Sequence, residues 1–157
     1  MQDTSPPPNA NAKAPSLYEA DFYAWANEQA ALLRAGRLAE AEIANIAEEI
    51  ESMGRSEKRE LVSRLQILIL HLLKWRYQPK RRGKSWRSSI KVQRIELGRH
   101  LRDNPSLKSR LGEAIADAYE VAKVEAEHET GMDASTFPAA CPWRYDEMAA
   151  DTFWPEA

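Results

Sequence analysis

A single histidine interrupts the most aliphatic stretch of the chain: His71 lies between Ile67-Leu-Ile-Leu70 and Leu72-Leu73. A neutral imidazole buried there needs a hydrogen-bond partner. If this stretch and the acidic one before it are separate helices, Glu48, Glu49 or Glu51 could supply that partner. A histidine with a carboxylate neighbour can serve as a general base or a metal ligand, although a satisfied structural histidine is the commoner outcome. Glu125-Ala-Glu-His128 has the spacing that puts two ligands on one helical face, as in carboxylate-bridged di-metal bundles. Those sites need two such motifs and further inward glutamates; here the motif occurs once and falls on the polar side of its helix, so a solvated face is expected and no metal site is assigned. Cys141, the lone cysteine, lies between prolines with no histidine beside it in sequence. The expectation is a small buried hydrophobe rather than a nucleophile. Phosphate-binding glycine loops, nucleophile elbows, His-Glu-x-x-His and calcium loops are all missing from the sequence, so no catalytic residue and no cofactor are assigned.

Charge is the stronger signal. From Lys74 to Arg102 the chain carries eleven basic side chains against one acid, Glu96, whereas from Leu111 to the end two basic residues stand against eleven acidic ones. The basic stretch is interleaved with Trp75, Tyr77 and Trp86. Cations for phosphate contacts beside rings for stacking is the composition of a nucleic-acid surface, so Lys74, Arg76, Arg81, Arg82, Lys84, Trp86 and Arg87 form the candidate binding set. The competing expectation is that basic and acidic helices lie side by side and neutralise each other, with the tryptophans as core anchors. The overall charge of −2 favours that second expectation, because nucleic-acid domains usually carry a net basic surface.

The elements that must position these residues follow from composition and periodicity. With 157 residues, 43% apolar and 29% charged, the chain can bury one core. Only 6 glycines, among many Ala, Leu, Glu and Arg, favour long helices over turn-rich β structure. The fold class is all-α: an antiparallel bundle of about five helices. Residues 1–16, with Pro6 to Pro8, have almost nothing to bury and are expected to be a disordered tail, leaving 17–157 as a single helical domain. Asp21 caps a first helix that Gly36 ends; Ile43, Ile46, Ala47, Ile50 and Met53 mark a second, which Gly54 ends or bends. Leu61 to Leu73 make the central buried helix. Residues 78–85 read as a loop, Ser85 as the cap of a fourth helix, and Asn104-Pro105 as the start of a fifth, stopped by Gly131. A short helix is expected around Tyr145 to Ala149, and the terminal Phe137, Trp143, Phe153 and Trp154 are expected to pack across the helices. The aliphatic run, broken by His71 and Lys74, cannot span a bilayer, and the N-terminus lacks the features of a secretory signal, so a cytoplasmic protein without membrane contact is expected.

Several segments resemble one bacterial family. Leu17-Tyr-Glu-Ala-Asp-Phe-Tyr-Ala-Trp25, Glu48-Glu-Ile-Glu-Ser-Met-Gly54, His71-Leu-Leu-Lys-Trp75, Ser85-Trp86, Asn104-Pro-Ser-Leu107 and the closing Phe137-Pro138, Cys141-Pro142 and Phe153-Trp154-Pro155 are similar to the domain-of-unknown-function family numbered twenty-nine. The resemblance runs from about Leu17 to Pro155 and departs at Ala41-Glu42, where that family reads Leu-Asp, a better helix cap. It implies an all-helical bacterial protein, with no activity, substrate or cofactor attached.

Together these readings favour a non-enzymatic helical interaction module meeting a protein or nucleic-acid partner through residues 74–87. The alternative is a small enzyme or metal-binding protein centred on His71 and the Glu48/Glu49 face. Self-association as a homodimer is compatible with either, and nothing in the sequence selects an interface.

Overall fold

The computed structural model describes residues 13–156, so the tail expected over 1–16 lies outside the described residues except for Lys13 to Ser16, which are exposed and non-helical. All regular structure in this range is helical: α1 (Leu17–Ala20), α2 (Phe22–Arg34), α3 (Ile43–Tyr77), α4 (Lys84–Asp103), α5 (Leu111–Thr130) and α6 (Tyr145–Ala149), with 3₁₀ turns at Pro79–Arg81, Pro105–Arg110 and Ala134–Thr136. The chain forms two compact units, residues 1–52 and 53–157, and the division falls within α3.

In the first unit the Asp21 side chain accepts a hydrogen bond from the Ala24 N–H at 3.0 Å, as an N-cap should. Gly36 ends α2 in the left-handed region at φ 70°. There its N–H bonds the Leu33 carbonyl and that of Arg37 reaches back to Leu32, closing a Schellman pair that satisfies the last carbonyls. Trp25 and Gln29 are buried, and both converge on Glu42, immediately before α3. Trp25 Nε1 donates to the Glu42 carboxylate at 2.7 Å and Gln29 Nε2 at 3.0 Å, while the Glu42 N–H donates back to Gln29 Oε1 at 2.7 Å. The residue that departs from the resembled family's pattern is thereby fixed by three neighbours, Asn45 Nδ2 being the third.

The helix does not end at Gly54. α3 runs unbroken from Ile43 to Tyr77, because a solvent-facing glycine costs only about 1 kcal/mol against alanine and leaves the backbone hydrogen bonds intact.

In the second unit α3, α4 and α5 run up, down and up. Lys74 lies over Trp86 at 4.7 Å, Arg64 pairs with Glu96 at 3.9 Å and His100 Nε2 meets the Glu57 carbonyl at 2.8 Å, so α3 and α4 are antiparallel. Lys58 with Glu113, Gln66 with Glu125 and Lys74 with Glu129 rise together, which makes α3 and α5 parallel. Between the three helices lie Leu61, Leu65, Leu68, Ile69, Leu72, Leu73, Ile90, Leu97 and the alanine stripe Ala114, Ala118, Ala122 and Ala126 of α5. The small side chains of that stripe let α5 pack close to the aliphatic face of α3. α4 starts at Lys84 behind Gly83, one residue before the expected Ser85 cap, and α5 starts at Leu111, because the chain first makes a 3₁₀ turn from Pro105. Gly131 stops α5 at φ 71°, as expected. The short helix falls on Tyr145–Ala149, and Phe137, Trp143 and Met148 are buried in the core.

Candidate functional site

The end of α3, the turn after it and α4 carry the basic stretch, and the structure sorts its cations into two groups. Arg82 follows the turn closely enough to reach back, and its Nε donates to the Trp75 carbonyl at 2.7 Å, one of the orphan carbonyls at the end of α3. From the same guanidinium Nη2 reaches the Pro155 carbonyl at 3.4 Å and Nη1 the Glu156 carboxylate at 3.6 Å. Arg94 is 5% exposed. Its Nε donates to the Met148 carbonyl at 2.7 Å and Nη2 to the Phe153 carbonyl at 2.5 Å, which satisfies the end of α6. Burial pulls the Arg94 guanidinium below its ordinary value, opposed by nearby Asp151.

Between these arginines Trp75 and Trp154 pack with their ring centroids 4.7 Å apart and their planes tilted by 47°. Arg82 and Arg87 lie over Trp75, and Arg87 and Arg94 over Trp154, at 5.0–5.3 Å. Such contacts are worth about 0.5–2 kcal/mol each depending on desolvation. The aromatic terminus is held to α3 and α4 by Arg94 and by two cations of the candidate binding set, Arg82 and Arg87. Lys74 belongs to this group too, paired with Glu129 and covering Trp86. Arg76 covers Tyr77 at 5.4 Å.

The second group points to solvent. Lys80, Arg81 and Lys84 are exposed and make no ion pair among the described residues. Along α4, Lys84, Ser88, Lys91, Val92, Ile95, Arg99 and Arg102 share one exposed face, opposite the buried Ile90, Arg94, Leu97 and Leu101. Val92 is 51% and Ile95 55% exposed. Their place off the inward stripe of Ile90, Leu97 and Leu101 was the available sequence signal for this face.

His71 is half-buried at the edge of α3, not enclosed by aliphatic neighbours, and its Nδ1 lies 2.8 Å from the carbonyl of Ile67 on its own helix. The expected carboxylate partner is corrected accordingly. Because α3 is continuous, Glu48 and Glu49 lie on the same helix as His71 instead of on one facing it, and Glu49 accepts from the Tyr18 hydroxyl in the first unit. That bond pushes the Tyr18 phenol above its ordinary value. The shallow groove that His71 lines also contains Gln66, Leu70, Glu125, His128 and Glu129. Glu125 is bonded to Gln66 and Glu129 to Lys74, and no three His, Cys, Asp or Glu side chains among the described residues are arranged to hold a metal ion.

A second groove, ≈ 630 Å³, runs along α5 past Ile115, Ala116, Tyr119, Val124 and Ala139 to Cys141. The Tyr119 hydroxyl donates to the Pro138 carbonyl at 2.6 Å, and burial pushes this phenol up to about 12. Burial likewise raises the half-buried Cys141 thiol, whose sulfur lies 3.5 Å from the Trp143 carbonyl. No helix among the described residues is long and apolar enough to cross a membrane.

The fold and this arginine–tryptophan clamp define an all-α protein whose aromatic C-terminal segment is fastened over a parallel-and-antiparallel helix trio. Residues 17–154 match the family described as Domain of unknown function DUF29, and the chain belongs to that family. No curated protein and no solved structure matches it.

Proposed function

We propose that the protein is a non-enzymatic interaction module that meets a negatively charged partner, protein or nucleic acid, through the basic segment 74–87. The observation that carries this reading is the division of its cations. Lys74, Arg82 and Arg87 are engaged with the protein's own rings and carboxylates, whereas Lys80, Arg81 and Lys84 face solvent together at the turn before α4. Exposed cations at one turn repel one another and lower stability slightly, a cost that a bound anionic partner reverses.

The test is binding of labelled single- and double-stranded oligonucleotides and of poly-glutamate to the full chain at about 50 mM and about 200 mM salt, where an interface of several cation contacts loses affinity steeply. Lys80→Gln/Arg81→Gln/Lys84→Gln removes that binding and leaves the unfolding midpoint unchanged or slightly raised. No binding of any of these anions at the lower salt overturns the reading.

A further inference from the structure

The face that continues this basic turn along α4 is not simply cationic. From Lys84 to Arg102, about 27 Å at the helical rise, its exposed residues are Lys84, Ser88, Lys91, Val92, Ile95, Arg99 and Arg102. Two branched aliphatic side chains occupy the middle, more than half exposed, and cations flank them towards both ends. Among the described residues Lys84, Lys91 and Arg102 make no ion pair, while Arg99 meets Glu96 at 3.0 Å. The aliphatic residues needed inside are already supplied by Ile90, Leu97 and Leu101, so Val92 and Ile95 do nothing for the core.

We propose that this face docks an acidic amphipathic helix of another protein, its apolar stripe on Val92 and Ile95 and its carboxylates at the flanking cations. The inference rests on the reading of this region as an interaction surface and names the partner class. Charge complementarity and the apolar centre choose that partner together. A nucleic acid would set its phosphates against Val92 and Ile95, and it would lack rings to stack on: Trp75 is covered by Arg82 and Arg87, Trp86 by Lys74 and Tyr77 by Arg76. A helix laid along α4 buries the aliphatic pair and leaves its own acidic flanks at the cations, the ordinary mode in which one helix reads another.

The experiment uses the full chain and two synthetic peptides of one composition. In the first, leucines line one helical face with glutamates on its flanks; in the second, the same residues are scrambled. The ordered peptide binds about tenfold or more tighter than the scrambled one, a difference set by the apolar contact and not by charge. Val92→Gln/Ile95→Gln removes that difference, and, both positions being exposed on a helix, the unfolding midpoint stays where it was. Three results overturn the proposal. One is equal affinity for the two peptides. Another is a preference that survives the double substitution. The third is self-association of the chain in sedimentation velocity that the double substitution abolishes, which makes a second copy the occupant. If both peptides bind alike and fade with salt, this inference fails while the anionic-partner reading stands; if neither peptide, poly-glutamate nor an oligonucleotide binds at low salt, both fail.

Discussion

Arg94 donates from Nε to the main-chain carbonyl of Met148 at 2.7 Å, so a buried cation on α4 closes the end of α6. A second bond, from Nη2 to Phe153, fastens the segment that follows, and the guanidinium plane lies over Trp154 at 5.1 Å. The relationship explains why a segment with little regular structure is nevertheless packed: carbonyls of Met148, Phe153 and Pro155 accept from arginines, and the Trp154 ring is covered by them.

Arg94→Met keeps most of the volume but leaves the two carbonyls without a donor. Hydrogen bonds to a charged group contribute about 1.5–3 kcal/mol, so a loss of this order is expected in urea unfolding. Chymotrypsin should also cleave after Phe153 sooner than in the parent, read by mass spectrometry. Unchanged cleavage would show that the terminus is held without Arg94.

Two glycines should respond to alanine with opposite sign. Gly36 sits at φ 70°, where a side chain is strained, so Gly36→Ala costs about 1 kcal/mol. Gly54 lies mid-helix, and a methyl group added there meets nothing within 4 Å, so Gly54→Ala stabilises by about 0.5–1 kcal/mol. Urea midpoints of the two variants, measured side by side, check both signs; a Gly54→Ala loss would mean that α3 is not helical there.

Much of this architecture was legible because local chemistry dictated it. Asp21, Gly36 and Gly131 announce helix ends through capping and left-handed backbone, and α6 follows from a short helical pattern between prolines. Gly54 misled because glycine in a sequence signals both an end and a tolerated interior position, and only the packing partners of the flanking turns decide between them. His71 misled through its neighbours' composition: Leu70 and Leu72 are buried, but a helix turns 100° per residue, and His71 falls on the edge of the face they occupy. The candidate site was legible only as charge. Which arginine holds a carbonyl and which faces water depends on contacts from Trp75 to Pro155, remote in sequence, and no local pattern encodes them.

Tyr119 gives the fold an alkaline limit. Its pKa stands at about 12 in the folded chain against 10.0 for the ordinary phenol, so between these values the unfolded state has released a proton that the native state retains. Stability is fully present below about pH 10 and falls as the pH rises towards 12, by an amount on the order of 2 kcal/mol. Urea midpoints across this range should slope down more steeply for the parent than for Tyr119→Phe. Equal slopes would assign the alkaline loss to other phenols.

Arg81 and Arg82 are neighbours in sequence with different tasks, and single substitutions should separate them. Arg82→Gln removes the donor to the Trp75 carbonyl, the contacts to Pro155 and Glu156 and the cation over Trp75, so a loss of about 1–3 kcal/mol is expected in urea unfolding. Arg81→Gln removes an exposed charge and should leave stability within about 0.5 kcal/mol of the parent. Binding reverses the order if Arg81 faces the partner: Arg81→Gln weakens salt-sensitive binding of poly-glutamate while the fold is untouched. Were Arg82→Gln to weaken binding with no loss of stability, Arg82 would belong to the exposed set, and the division of the basic segment into clamp and surface would have to be redrawn.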